Sequence, residues 1–99
     1  MDFELINNES AKQYEYHIDG FVAKIEYKKS GDKIYLIHTE IPKELVGKGV
    51  ASSLAQKVLD NIQQKGLRLI PFCPFIKKYI QRHPEWESLV LKSPNGGNN

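Results

Sequence analysis

Apolar and polar residues alternate from Lys12 to Ile18, placing Tyr14, Tyr16 and Ile18 on one face of a strand. Asp19-Gly20 follows, a dipeptide that favours the tight hairpin turn. The alternation resumes with Phe21, Ala23, Ile25 and Tyr27 sharing a face. Ser30-Gly31-Asp32 predicts a second turn, and Lys33 to Ile41 a further strand. Phe3 to Ile6 alternates weakly and predicts a short first strand, broken by Asn7-Asn8-Glu9-Ser10. This half reads as an antiparallel meander.

The period then changes from two to about 3.6. Val50, Ala51, Leu54, Ala55, Val58, Leu59 and Ile62 fall on one helical face, with Ser52, Ser53, Gln56, Lys57, Asp60 and Asn61 on the other. Lys65-Gly66 is a helix stop. Leu67 to Phe72 has the length and apolarity of a central strand buried on both faces. Pro71 conflicts with full pairing, because it offers no N–H to a ladder. The pattern therefore predicts that this strand and a neighbour part near Pro71. Pro74 suits the first turn of a second helix with Phe75, Ile76, Tyr79 and Ile80 as its stripe, ended by His83-Pro84. Pro84 to Leu91 predicts a short helix or turn that packs Trp86, Leu89 and Val90.

A chain of 99 residues is expected to form one domain, over residues 1–92, with a disordered polar and glycine-rich tail over 93–99. Cys73 is the only cysteine, so no internal disulfide can form, and a cytoplasmic location is expected. No apolar run approaches the ~20 residues that span a bilayer. Asp2 and Glu4 stand where a signal peptide would be basic. The formal net charge is only +2, and the lysines are scattered, as on a solvated surface and not as on a nucleic-acid face. The histidines and Cys73 have no metal-ligand spacing. A monomer is expected.

The chemistry concentrates between Ile37 and Ala51. A strand meets Pro42, crosses a short loop and reaches Gly47-Lys48-Gly49 at the head of the long helix. Glycines there let backbone amides converge, and the helix end adds unpaired donors and a partial positive charge. That is a phosphate cradle in outline. It is no P-loop, since no Gly-Lys-Ser/Thr closes it, and Ser52 replaces the third glycine of a dinucleotide fingerprint. On these residues alone, a plain strand-to-helix turn fits as well.

The wider pattern resembles the Gcn5-related N-acetyltransferase superfamily, and more closely its small single-domain Gcn5-like branch. The residues are His38-Thr39-Glu40, Gly47-Lys48-Gly49, Cys73-Pro74-Phe75 and Arg82-His83-Pro84-Glu85. The resemblance implies a minimal α/β (α+β) fold of that superfamily: an antiparallel meander leading into two splayed parallel central strands, with one long and one or two short helices. It implies acetyl transfer from acetyl-CoA to a primary amine, with no metal. The alternative is a non-catalytic or weakly catalytic module that binds acetyl-CoA or CoA. Where the superfamily loop often carries arginine before its first glycine, this chain has Val46, and Glu44 stands at the usual Gln/Arg.

The resemblance further implies a cofactor site from Ile41 and Val46 through Gly47, Lys48, Gly49, Val50, Ala51 and Ser52, completed by Cys73, Phe75 and Tyr79. The pyrophosphate would rest on the amides of Gly47 to Ala51. The thioester would sit near Glu40, Cys73 and Tyr79, its carbonyl polarised by backbone N–H groups near Glu40 to Pro42. Tyr79 corresponds to the superfamily's general acid, and is otherwise a core aromatic. Glu40 or His38, two apart on a strand, could take the amine's proton; otherwise both are polar sheet-edge residues. Cys73 is either a small residue lining the slot or a helix-capping nucleophile. His83 reads as structural. The segment between the first strands, Asn7 to Ala11, is expected to be too short for the superfamily's usual pair of helices. The stretch after the short helix is likewise expected to be too short for its two closing strands. The parts that wall the acceptor site in larger members are therefore not expected, and the amine stays open.

Overall fold

The computed structural model describes residues 3–91. Five strands form one sheet in the order β1-β2-β3-β4-β5. They are β1 (Ile6–Asn8), β2 (Gln13–Ile18), β3 (Phe21–Ser30), β4 (Lys33–Glu40) and β5 (Arg68–Pro71). The first four are antiparallel, and β4 and β5 are parallel. The long helix α1 (Val50–Gln64) makes the crossover that a parallel pair needs. Helix α2 (Pro74–Arg82) and a 3-10 turn (Pro84–Leu89) follow β5. The predicted α/β architecture of a meander, a parallel pair and one long helix is thus present.

The turn between β2 and β3 is set by Asp19 and Gly20, whose φ values of 53° and 82° are both positive, as a two-residue hairpin turn requires. Gly31 and Asp32 alone form the next turn, since Ser30 already pairs with Lys33. Buried Tyr14, Tyr16, Ile25, Ile34 and Leu36 make the inner face of the sheet, and Leu54, Val58, Leu59 and Ile62 of α1 pack on it. Each such apolar side chain contributes about 1.5–3 kcal/mol by leaving water. Two tyrosine hydroxyls tie the layers: Tyr14 donates to Asn61 Oδ1 at 2.9 Å, and Tyr16 pairs with Ser53 Oγ at 2.8 Å. Ser53 and Asn61, assigned by periodicity to the polar face of α1, therefore turn toward the sheet.

Three boundaries differ from the sequence reading. The first strand is Ile6–Asn8, not Phe3–Ile6. Asn7 and Asn8 tolerate the strand because their side chains bond across it, Asn7 Oδ1 accepting from the Tyr27 hydroxyl at 2.7 Å and Asn8 Nδ2 donating to Glu15 at 2.9 Å. The β5 strand is the last of the sheet, not a central strand buried on both faces; only Leu69 is fully buried in it. Among the described residues its outer side carries a single parallel bridge, Leu69 to Val90. Phe72 lies beyond the strand and is exposed, against the ring of Tyr35. The expected tail over 93–99 lies outside the described residues.

The parting of strands expected at Pro71 is present. Leu36 is the last β4 residue paired with β5, opposite Pro71, and its carbonyl accepts from both Phe72 and Cys73. Among the described residues β4 goes on to Glu40 with β3 as its only strand partner. A fork opens there, with one backbone edge of β4 unpaired by any strand among the described residues.

Candidate active site

The site begins with a defect in β4. The register against β3 shifts between Glu26 and Tyr27, which pair with His38 and Leu36, so Ile37 is the extra residue of a bulge. One extra residue inverts the side-chain alternation that follows. Leu36 faces the buried side, as does Tyr27 opposite it. Thr39, paired with buried Ile25, also faces the helices, and His38 and Glu40 turn to the uncovered face.

On that uncovered face Glu40 is exposed and lies between two cations or potential cations. Lys24 Nζ is 3.7 Å from its carboxylate and His38 Nε2 is 3.9 Å away. Lys24 also pairs with Glu26 at 3.2 Å, and that bond, followed by the charges of Glu26 and Glu40, raises the Lys24 ammonium above its ordinary value. On the helix face, Cys73 Sγ is 3.1 Å from Thr39 Oγ1. Cys73 is the N-cap of α2 and is buried, yet its side chain bonds no α2 amide. The fork between β4 and β5 thus separates two groups, His38 with Glu40 on one face and Thr39 with Cys73 on the other.

After Pro42 a 3-10 turn (Lys43–Leu45) anchors buried Leu45, and the loop rises to α1. Gly47 and Gly49 have φ of 84° and 75°, and Gly49 is the N-cap of α1. Positive φ demands glycine there, while the space over both α-carbons is open for 4 Å. No side chain caps the helix, and the amides of Val50, Ala51 and Ser52 bond no backbone acceptor among the described residues. An anionic group brought close to Gly49 would satisfy them. The cradle fits a phosphate.

A cleft of about 240 Å³ lies on this loop, lined by Ile41, Val46, Gly47, Gly49, Val50 and Ala51 among others. Val46 is 63% exposed, an apolar side chain beside a phosphate cradle. A second cleft, about 270 Å³, lies between α1 and α2 and is lined by Ser52, Phe75, Lys78, Tyr79, Arg82 and His83. Ser52 lines both clefts, so they adjoin at the first turn of α1. Lys48 and Cys73, named for the same site from sequence, line neither. Tyr79 is buried, with its ring stacked on His83 at a centroid distance of 4.2 Å. Burial, then the charges of Glu85 and Asp60, push its hydroxyl above the ordinary tyrosine value, so it is a neutral phenol at pH 7. The described residues hold no cluster of ligands for a metal ion.

Three neighbours of the site were not singled out from the sequence. Lys24 meets Glu40 only through the β3–β4 register, and Thr39 meets Cys73 only because the bulge turns it inward. Lys78, four residues before Arg82, shares a helix face with it, a spacing that was readable.

The family model of the GCN5-related N-acetyltransferases matches residues 13–89. The chain belongs to this family. Its matched span contains β2 to β5, with the bulged strand, the glycine loop and both helices. Among curated proteins it resembles Protein NATD1 of Homo sapiens and of Gallus gallus, each 35% identical over 63 residues. That covers 63% of this chain and 56% and 57% of those proteins, so the chain spans little more than half their length. A GCN5-like protein of Staphylococcus aureus, solved in solution by NMR, shares the fold at a TM-score of 0.70 and 22% identity. That match covers 98% of this chain and 96% of the other.

Proposed function

We propose that the chain is an N-acetyltransferase that moves the acetyl group of acetyl-CoA to a primary amine. The observation that supports this best is the join of two features, amides at Val50 to Ser52 that bond no backbone acceptor among the described residues and a pair of clefts that meet at Ser52. The same β4 strand that leads to the loop opens a fork from β5 at Pro71. Family membership supplies the reaction class.

When bound, acetyl-CoA supplies an activated acyl group. The amides of Gly49 to Ser52 hold its pyrophosphate, aided by the α1 dipole. The unpaired β4 edge beyond Leu36 offers backbone groups to the amide-bearing pantetheine arm. Pro42 has no N–H, so any backbone donor to the thioester oxygen comes from Glu40, Ile41 or their β4 neighbours. Glu40, on the uncovered face, attracts the cationic acceptor and takes its proton, directly or through water. Tyr79, held as a phenol, gives its proton to the sulfur that leaves. Cys73 takes no part in the transfer and stays buried beside the fork, its thiol occupied with Thr39.

A second reading is a module that binds CoA with little turnover. Exposed Val46 at the loop and the 60% exposure of the Glu40 side chain favour that reading. Incubation with acetyl-CoA and a panel of primary amines, scored for free thiol and acetylated amine, separates the two. Transfer to any amine above the uncatalysed rate supports the enzyme. Tight binding with no transfer across polyamines, lysyl peptides and aminoglycosides supports the module.

A further inference from the structure

The sheet face turned away from the helices carries an apolar strip at the fork that the transfer chemistry leaves unused. Phe72 is 59% exposed, and Ile37 is exposed as well. Tyr35 pairs with Ile70 across β4 and β5, and its ring lies 5.7 Å from that of Phe72. Their strand neighbours Ile34, Leu36 and Leu69 are buried toward the helices, so Tyr35 and Ile70 face the other way. The Phe72 amide donates to the Leu36 carbonyl at 3.0 Å, which fixes the ring at the mouth of the fork. Single exposed apolar residues are ordinary, but a group of them around one site marks a contact surface.

The strip runs on into charge. Past Ile37, β4 presents His38 and Glu40 on this face, opposite Glu26 and Lys24 of β3. Glu26 and Glu40 share the Lys24 ammonium, at 3.2 and 3.7 Å, so the pair can take a further cation. Lys28 stands opposite Tyr35 at the apolar end and repels a cation there. The strip thus has a direction, apolar at Phe72 and cation-attracting at Glu40. Glu40 lies three residues past Ile37, about 10 Å at the usual strand rise. Sites for small molecules are concave and bury most of their ligand. This face is open, as the exposure of Phe72, Ile37 and Glu40 shows, and an open strip of that length suits an extended peptide. Peptide side chains two positions apart share a face.

We propose that the acceptor is a lysine in an extended peptide segment with a large apolar residue two positions away. The apolar side chain sits on Phe72, Tyr35 and Ile37, and the lysine ammonium is drawn to Glu40. The proposal rests on the acetyl-CoA reading above and names the class of amine for it, with Phe72 as a specificity residue. Tyr79 and its cleft lie between α1 and α2, so the amine and the leaving sulfur meet at the fork from opposite sides. The lysine nitrogen bonds the acetyl carbon as the carbon–sulfur bond breaks. One ammonium proton goes to Glu40 and on to solvent. A second leaves through solvent, matching the proton that restores Tyr79 after it protonates the sulfur, and the last stays in the amide.

Acetylation kinetics of the full chain on two blocked pentapeptides test this, each with one central lysine. One carries phenylalanine two positions to either side and the other serine, with glycine between. Wild type should show a kcat/KM about tenfold or more higher for the phenylalanine peptide, as partial burial of an aromatic side chain warrants. Phe72→Ser, at an exposed position past the end of β5, should fold, which circular dichroism checks. It should lose that preference, through KM, and keep the wild-type rate on the serine peptide. Equal wild-type values for the two peptides overturn the proposal without recourse to the variant, and so does a preference that survives in folded Phe72→Ser. A higher kcat/KM for spermidine than for either peptide overturns it in favour of a small-molecule acceptor. Calorimetry with acetyl-CoA distinguishes the remaining failures. Binding with no transfer to any of these amines removes the proposal and leaves the binding module, whereas no binding removes the acetyl-CoA reading itself.

Discussion

Thr39 Oγ1 and Cys73 Sγ lie 3.1 Å apart across the point where β5 leaves β4. The bulge at Ile37 makes the contact, by turning Thr39 to the helix face. The thiol is thus engaged with a hydroxyl and bonds none of the α2 amides that would stabilise a thiolate. Cys73→Ala should keep at least about a third of the wild-type turnover, since a nucleophile's loss typically costs far more. Mass spectrometry during turnover should find no acetyl on Cys73. Acetyl trapped there at a rate matching turnover would replace direct transfer with a covalent route.

Tyr79 is raised above the ordinary tyrosine value chiefly by burial, so it stays protonated throughout the neutral range. Its deprotonation can lower activity only above that ordinary value, on the alkaline limb. Tyr79→Phe keeps the ring and its stacking on His83 but removes the proton. Turnover should fall roughly 10²-fold with coenzyme A affinity retained. A matching loss of affinity would make Tyr79 a packing residue.

Glu40 needs an amine acceptor to be tested. An ammonium has no lone pair and must lose a proton before attack. Glu40→Gln should depress turnover about tenfold near neutrality and less at high pH, where free amine is abundant. Equal activity of wild type and variant across that range would exclude Glu40 and turn attention to His38.

Glu15 lies on the same uncovered sheet face but is buried, accepting from His17 at 2.7 Å and from Gln13 and Asn8. The bond from His17, then that from Gln13, lowers its pKa below the ordinary carboxylate value against the opposing effect of burial. A lowered folded value means stability that is present above the ordinary carboxylate range and lost as pH falls through the folded value. Melting temperature should drop on acidification in wild type. Glu15→Gln should flatten that acid limb and lower neutral stability by about 1–3 kcal/mol. An unchanged acid limb in Glu15→Gln would move the effect to other carboxylates.

The meander, both hairpin turns and the apolar stripe of α1 were legible because each rests on local period or turn chemistry. Asp19-Gly20 specifies its turn whatever surrounds it, and Leu54, Val58 and Ile62 repeat at helical spacing. Pro71 announced the fork because a missing N–H is a local fact. The bulge at Ile37 was not legible, since nothing in the run Tyr35 to Thr39 marks which residue is extra. With it were lost the faces of Thr39 and Glu40 and the contact of Lys24 with Glu40. The edge position of β5 also escaped, because Leu67 to Phe72 is equally apolar whether helices or strands cover it. Ser53 and Asn61 were misassigned because their tyrosine partners are 37 and 47 residues away.

The central claim is that the glycine loop at the head of α1 takes the pyrophosphate of acetyl-CoA. An NMR titration of the isotope-labelled chain with acetyl-CoA tests it most directly. The amides of Gly47, Gly49, Val50 and Ala51 should shift together and saturate with one dissociation constant, and Tyr79 should move with them. Gly49→Ala, strained by about 1–2 kcal/mol at its positive φ, should weaken those shifts in a chain that still folds. Shifts confined to the uncovered face around Glu15 and His17, or none at the loop at saturating acetyl-CoA, would contradict the account.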